Sequence, residues 1–195
     1  MINDFELLKK EILVCQKCQL SKGRTNVVCG EGPFDAKIMC IGEGPGRDED
    51  LQGRPFVGRS GQLLDKILSV CGFSRTENVF IGNIVKCRPP QNRAPFPEER
   101  ATCIPYLHKQ IEMINPKIII LLGATALNGL IDPLLKITKV RGNWLEWNGH
   151  IVMPTFHPSA LLRNPNLKKD AWEDFKKVVA KYRELVNPAH KSDYC

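Results

Sequence analysis

Three polar side chains stand where short apolar segments of the chain end. Glu43 lies in a glycine-rich turn, Asn83 closes an apolar run, and His157 stands just before a proline. A carboxylate can orient water, an amide can donate and accept at once, and an imidazole can donate to developing negative charge. Because the carboxyl ends of parallel strands share one edge of a sheet, we expect the three residues to converge on one site. Phe56, in a glycine-flanked loop, would offer that site a flat aromatic face.

Each of these residues also has an ordinary structural interpretation. Asn83 could be a turn residue at a strand end, His157 a satisfied polar residue and Phe56 a core aromatic. The turn at residues 42–46 is first of all a connection, and its alternating glycines do not match the dinucleotide-binding pattern. The joint occurrence of the polar residues at predicted strand ends favours the functional interpretation.

Four cysteines could share one centre. Cys15 and Cys18 form a CxxC unit, while Cys87 and Cys103 stand on either side of a basic, proline-rich loop. A CxxC unit alone is compatible with a redox pair, with zinc or with an iron–sulfur cluster. Four unrelated buried thiols are the plain alternative. A CxxC unit joined by two widely separated cysteines suits an iron–sulfur cluster at least as well as zinc.

The apolar patterns predict the elements that must position these residues. Strands interleaved with helices predict a three-layer α/β/α fold with a central, mainly parallel sheet of about four strands. The predicted strands cover 38–41, 79–82 and 118–122, with a hairpin of 144–147 and 150–154 turned by an Asn-Gly pair; the main predicted helices cover 4–14, 60–71, 98–113 and 168–186.

Length and charge set the broad class. The chain has 195 residues, which suits one domain over residues 1–195, and we expect residues 188–195 to form a frayed tail. Its net charge of +7 favours polyanionic partners such as nucleic acid. The start of the chain does not read as a signal peptide and no apolar stretch is long enough to span a bilayer, so we expect no membrane association and a cytoplasmic location.

Five segments together resemble the family 4 uracil-DNA glycosylases, the iron–sulfur branch of the uracil-DNA glycosylase superfamily. They occur in the family's order along most of the chain: Gly-Glu-Gly-Pro-Gly at 42–46, Gly-Arg-Pro-Phe-Val-Gly at 53–58, Asn-Ile-Val-Lys-Cys-Arg-Pro-Pro at 83–90, the predicted helix holding Cys103, and His-Pro-Ser-Ala-Leu-Leu-Arg at 157–163.

The resemblance implies removal of uracil from DNA by cleavage of its N-glycosidic bond, after the nucleotide has swung out of the stack into a pocket. Phe56 would stack on the base. Asn83 would accept from uracil N3–H and donate to O4, a pattern that cytosine mismatches. His157 would donate to uracil O2 as negative charge develops, and Glu43 would face the sugar. Gly44 would lie beside the uracil.

The resemblance also implies contacts with single- or double-stranded uracil-containing DNA. Ser159 would hold a phosphate, and Leu161 or Leu162 would enter the space that the flipped base leaves. The expected arginine contacts to phosphates are Arg88, Arg93, Arg141 and Arg163. A single cleft suffices for a single lesion, so we expect a monomer.

The cofactor that the resemblance implies is a [4Fe–4S] cluster on Cys15, Cys18, Cys87 and Cys103. We expect it to be structural, fixing the basic loop between Cys87 and Cys103 without changing oxidation state during catalysis.

Two departures from the superfamily's best-known branches concern the catalytic loop. Those branches carry an aspartate where this chain has Gly44, so the group that activates water stays open. They also exclude thymine with a bulky residue near this loop, where Gly46 offers no bulk and Glu49 is our candidate. Related proteins that trap uracil-DNA covalently use a histidine that residues 87–103 lack.

Three other functions remain open from the sequence alone. They are a non-catalytic reader of uracil in DNA, an iron–sulfur electron carrier and a zinc-stabilised nucleotide-binding domain. Turnover separates the first from an enzyme, and colour separates a cluster protein from a zinc protein.

Overall fold

A computed structural model describes residues 2–194 and has a five-stranded sheet at its centre. The strands lie in the order β2-β1-β3-β5-β4. Four of them are parallel, and β4 pairs antiparallel with β5. Their bounds are β1 (Ile38–Gly42), β2 (Val79–Asn83), β3 (Ile118–Leu122), β4 (Leu145–Trp147) and β5 (His150–Thr155).

The α/β/α prediction is therefore confirmed, with one strand more than the four expected. The additional strand is the outer arm of the predicted hairpin. Its turn residues Asn148 and Gly149 both have positive φ, as two-residue hairpin turns require. All residues of β1, β2 and β3 are buried, which explains why these strands read as uninterrupted apolar runs.

Eight α-helices surround the sheet within the described part of the chain. Side chains alternate between the two sheet faces, so Met39 and Ile41 of β1 join one core cluster while Ile38 and Cys40 join the other. The helices are α1 (Ile2–Leu13), α2 (Arg47–Gln52), α3 (Arg59–Val70), α4 (Pro97–Ile114), α5 (Ala124–Leu130), α6 (Ile137–Val140), α7 (Pro158–Arg163) and α8 (Lys168–Leu185).

Each sheet face is covered by its own helices. Side chains of α4 and α5 complete the first cluster, and side chains of α3 and α8 complete the second. The carboxyl ends of the parallel strands are left uncovered at one edge. That edge is where ligands bind in open α/β sheets.

The chain end packs onto the domain, so the expectation of a frayed tail is wrong for residues 188–194. The His190 ring is buried and stacks on Phe73 with centroids 4.6 Å apart. Its Nε2 lies 2.8 Å from the backbone oxygen of Cys71. The prediction failed because a lone histidine gave no signal that this segment has an apolar surface to cover. Between residues 2 and 194 no helix has the length and apolar character needed to cross a bilayer.

Candidate active site and cysteine cavity

A cleft of about 780 Å³ opens at the carboxyl ends of the parallel strands. Glu43 enters it from the turn after β1, Asn83 from the end of β2 and His157 from just beyond β5. Phe56 lines the same cleft from the loop between α2 and α3. The structure thus brings together four side chains that are up to 114 positions apart in the sequence, Glu43 to His157.

Asn83 lines this cleft and carries an unpaired acceptor. The residue is only 2% exposed, and its Oδ1 has no hydrogen-bond partner in the structure. A buried acceptor left unpaired costs about 1–3 kcal/mol, so the site favours a ligand that brings a donor. Space for the amide depends on Gly42, because a Cβ there would lie 2.6 Å from Asn83 Oδ1 and 2.6 Å from the Phe56 ring.

Phe56 is held in an unusual backbone conformation. Its φ is +50°, which is uncommon for a residue with a side chain. The Arg75 guanidinium donates to the carbonyl oxygens of Pro55 at 2.8 Å and Phe56 at 2.7 Å, and Asp65 binds the guanidinium in turn. The Phe56 ring lies 5.5 Å from the His157 ring, with 32° between the two planes. A planar ligand that entered between Asn83 and His157 would therefore meet an aromatic face fixed from behind.

His157 is a neutral hydrogen-bond donor toward the cleft. Burial, with a smaller contribution from the nearby Arg163 charge, lowers its pKa to about 4. Its Nδ1 accepts the backbone N–H of Ser159 at 3.1 Å, and the Ser159 hydroxyl lies 2.8 Å from the same nitrogen. Since Nδ1 acts as an acceptor, the proton of the neutral ring is on Nε2.

Glu43 is half-buried and accepts a short hydrogen bond from the Thr125 hydroxyl. Thr125 follows β3, so it obeys the same rule of position as the residues singled out from the sequence, although it was missed there. Gly44 lines the cleft beside Glu43, and a Cβ at that position would lie 2.6 Å from Val85 Cγ2. A side chain at position 44 therefore requires Val85 to move, which leaves Glu43 as the carboxylate of this loop.

The Glu49 carboxylate, our candidate for excluding thymine, is engaged by backbone N–H groups. Its carboxylate accepts the backbone N–H groups of Gly46 at 3.1 Å, Val57 at 2.9 Å and Gly58 at 2.8 Å. These bonds tie the glycine-rich turn to the Phe56 loop. Glu49 thus shapes the cleft through the backbone of two loops.

Several of the expected DNA-contacting residues lie at the cleft, including Arg93, Ser159 and Arg163. Arg163 is exposed, whereas the Arg93 guanidinium forms a two-point ion pair with Glu99. Arg88 lies outside the lining, half-buried, and donates to Asn92 at 2.8 Å. Three cleft-lining residues that sequence reasoning missed belong to the first turns of α2 and α3: Arg47, Arg59 and Ser60.

Two of the expected DNA-contacting residues are engaged within the fold. The Arg141 guanidinium is bound to the fully buried carboxylate of Asp174, with Nε 2.9 Å from Oδ2, so the core already uses its charge. Leu161 is 2% exposed and packs in a small apolar cluster, so it is not free to enter DNA. Leu162, the next residue of the short helix α7, is 38% exposed and remains the candidate for that role.

The four predicted ligand cysteines line one small cavity below the basic loop. Within residues 2–194 no group of three or more His, Cys, Asp or Glu side chains is arranged to hold a metal ion. The cavity walls nevertheless bring Cys15, Cys18, Cys87 and Cys103 together without any carboxylate or histidine. An all-sulfur donor set is what iron–sulfur clusters use.

The surroundings of these thiols fit a negatively charged group. Arg24 donates to Cys87 Sγ at 3.1 Å and to the backbone oxygen of Cys15 at 2.7 Å. The Tyr106 hydroxyl, also in the cavity wall, is buried without a hydrogen-bond partner. Burial raises the pKa of Cys87, and raises that of Cys103 to about 11. Thiols with raised pKa values are poor nucleophiles, so Cys87 and Cys103 are not suited to thiol–disulfide exchange.

The sheet and the cleft define an α/β protein with a pocket for a planar, hydrogen-bonding ligand. Residues 29–176 match the family described as the uracil DNA glycosylase superfamily, and the chain belongs to that superfamily. A type-4 uracil-DNA glycosylase from Thermotoga maritima is 52% identical over 177 residues, which cover 89% of this chain and 92% of the relative. A type-4 enzyme from Sulfurisphaera tokodaii is 46% identical, over 95% of this chain and 86% of the relative. A type-5 enzyme from Pyrobaculum aerophilum is more distant, at 30% identity over 67% of this chain.

Proposed function

We propose that this protein is a uracil-DNA glycosylase that hydrolyses the N-glycosidic bond of uracil in DNA and leaves an abasic site. The observation that carries the proposal is the buried, unpaired Oδ1 of Asn83 in a cleft with an aromatic face. Membership of the uracil DNA glycosylase superfamily and the similarity to type-4 enzymes support it.

Base selection follows from the amide. Uracil carries a donor at N3 and an acceptor at O4, so the Asn83 side chain can pair with both while Phe56 stacks on the ring. Cytosine has an acceptor at N3 and a donor at its 4-position, so both contacts would be mismatched. Each mismatch leaves a buried group unpaired, and the discrimination is about 1–3 kcal/mol for each.

Bond cleavage is assisted from the other side of the base. Negative charge develops on uracil O2 as the bond to the sugar breaks. The His157 ring is neutral and carries its proton on Nε2, so it can donate a hydrogen bond to that oxygen. A donor aimed at developing charge in this way contributes about 3–4 kcal/mol in comparable sites.

Glu43 is the group that we assign to the sugar. Positive charge develops there during cleavage, and the carboxylate can stabilise it or orient the attacking water. Thr125 fixes one carboxylate oxygen, which leaves the other for this task.

We propose that Cys15, Cys18, Cys87 and Cys103 hold a [4Fe–4S] cluster. When bound, the cluster would supply a cross-link between the N-terminal segment and the two ends of the basic loop. The all-cysteine wall of the cavity and the Arg24 bond to Cys87 support this assignment. A brown protein with visible absorption and about four iron atoms per chain is expected, whereas a colourless protein with zinc would contradict the assignment.

DNA is the partner that we propose for the cleft rim. Arg163 and Arg93 would contact phosphates, Ser159 would contact one through its hydroxyl, and Leu162 would fill the space left by the flipped base. We further propose that the chain works as a single-domain monomer, and that it acts in the cytoplasm because its proposed substrate is cellular DNA.

The test of the function is direct. A labelled oligonucleotide carrying one uracil is incubated with the purified protein and then treated with alkali, which breaks the strand at any abasic site. We expect breakage only at uracil, with many turnovers per protein molecule. Tight binding without breakage would make the protein a reader of uracil, and no binding would refute the proposal.

A further inference from the structure

Lys86 is a charged side chain buried below the cleft. It is 1% exposed, and its Nζ donates to the backbone oxygen of Asn83 at 2.8 Å and to Gln110 Oε1 at 2.7 Å. In the described part of the chain, none of the ion pairs includes Lys86. A buried ammonium without a carboxylate partner costs stability, which indicates a role for Lys86 other than stabilising the fold.

The contacts of Lys86 join two parts of the molecule. Lys86 itself lines the cysteine cavity, together with Cys87 and Cys103. Gln110 lies two turns after Cys103 on α4, is fully buried, and donates to the backbone oxygen of Cys29 at 2.8 Å. A continuous buried network therefore runs from the cysteine cavity to the backbone of the residue that faces the cleft with an unpaired amide.

We propose that Lys86 is a positioning residue for base recognition, which holds Asn83 from behind and ties its placement to the cysteine cavity. This inference rests on the proposed function. The Asn83 Oδ1 has no protein partner, so the amide is aimed by its backbone. The Lys86 ammonium is the side-chain group that binds that backbone at its carbonyl oxygen.

A bound cluster would give the Lys86 ammonium a neighbour of opposite charge. Lys86 and Cys103 line the same cavity. Thiolates that hold a cluster would place negative charge beside the buried ammonium and so favour its retention. Loss of Lys86 would then disturb Asn83 first, because the cysteines also have Arg24 as a cationic neighbour.

The test compares Lys86→Met with Lys177→Met. Methionine keeps most of the lysine volume but cannot donate. Lys177 is the control because it also donates to a backbone carbonyl, that of Gly142 at 2.7 Å, and lines neither the cleft nor the cysteine cavity. For each protein we would measure the affinity for free uracil by calorimetry, kcat and KM on a uracil oligonucleotide, iron content with visible absorption, and thermal unfolding.

We expect Lys86→Met to keep its iron and its visible absorption and to remain folded at the assay temperature. Its affinity for free uracil and its kcat/KM should fall by about 10-fold to 100-fold, the usual effect of removing a supporting hydrogen bond behind a functional group. Lys177→Met should bind and cleave like the unmodified protein.

Two results would overturn the inference. One is unchanged uracil affinity in Lys86→Met. The other is a loss of affinity that follows iron content, so that affinity per iron-containing molecule is unchanged, because Lys86 would then serve the cysteine cavity alone.

A second variant and the unmodified protein complete the design. If Lys86→Met does not fold, Gln110→Met removes one of the two acceptors and should weaken uracil binding in the same direction by a smaller factor; unchanged binding would refute the inference. If the unmodified protein binds uracil without excising it, the proposed function fails while the affinity comparison still tests Lys86. If it does neither, both fail.

Discussion

Replacing Asn83 with alanine should separate stability from activity. In the protein without substrate, the Asn83 Oδ1 is buried and unpaired, so its removal relieves a cost of about 1–3 kcal/mol. The packing lost with the amide costs a similar amount. Because the two effects oppose each other, the free energy of unfolding should change by no more than about 1 kcal/mol.

The loss of activity should be much larger. The variant lacks both the acceptor for uracil N3–H and the donor to O4, at about 1–3 kcal/mol each, or about 2–6 kcal/mol together. This corresponds to a decrease in kcat/KM between about 30-fold and about 20,000-fold. Discrimination between uracil and cytosine should disappear with it.

The assay is cleavage of oligonucleotides that carry uracil or cytosine at one position, alongside thermal unfolding of the same preparations. Asn128→Ala is the matched control, since Asn128 Nδ2 donates to the carbonyl oxygens of Asp132 at 2.9 Å and Leu135 at 2.8 Å. That variant should lose stability and keep its activity per folded molecule. A strongly destabilised Asn83→Ala that kept its kcat/KM and its selectivity would refute the reasoning.

Three further predictions concern groups around the cleft. Arg75→Met should lower kcat/KM by roughly 10-fold to 100-fold, mainly through weaker stacking on the base, because two loop carbonyls lose their donors; steady-state kinetics on a uracil oligonucleotide check this. His157 should titrate near pH 4 and show no transition at its ordinary pKa of 6.5, and an NMR titration of the ring measures this pKa. The stability that the neutral ring contributes is therefore complete above pH 6.5 and is lost as the pH falls through 4. Arg141→Ala should destabilise the fold by about 3–5 kcal/mol, because it leaves Asp174 unpaired, and should leave DNA affinity unchanged. Arg163→Ala should weaken DNA binding and reduce its salt dependence by about one charge. Chemical denaturation and DNA binding at several salt concentrations distinguish the two variants.

The sequence was sufficient to predict the layers of the fold and the meeting of Glu43, Asn83 and His157. Both follow from one rule, that parallel strands are buried apolar runs whose carboxyl ends share an edge. Thr125 stands at the same kind of position after β3 and could have been found by that rule.

The partners of side chains were beyond the sequence. Arg141 and Arg163 are both basic residues near the predicted site, and only the structure shows that Arg141 is bound to Asp174. Leu161 and Leu162 are adjacent leucines, and the rotation of a short helix decides that the first is buried while the second is exposed. No periodic pattern extends over so few residues, so the sequence could not choose between them.

The unfavourable features of the cleft share one explanation. An unpaired buried acceptor at Asn83, a positive φ at Phe56 and a desolvated, neutral imidazole at His157 each cost stability in the protein without substrate. All three residues line the same cleft, and the proposed ligand, uracil, would pair with the acceptor, cover the aromatic ring and accept a hydrogen bond from the imidazole. The supporting contacts are placed one layer further back, where Arg75 holds the Phe56 carbonyl and Lys86 holds the Asn83 carbonyl. Such a site is preorganised before the base binds, so the free energy of binding is available for base selection and bond cleavage instead of for ordering the pocket.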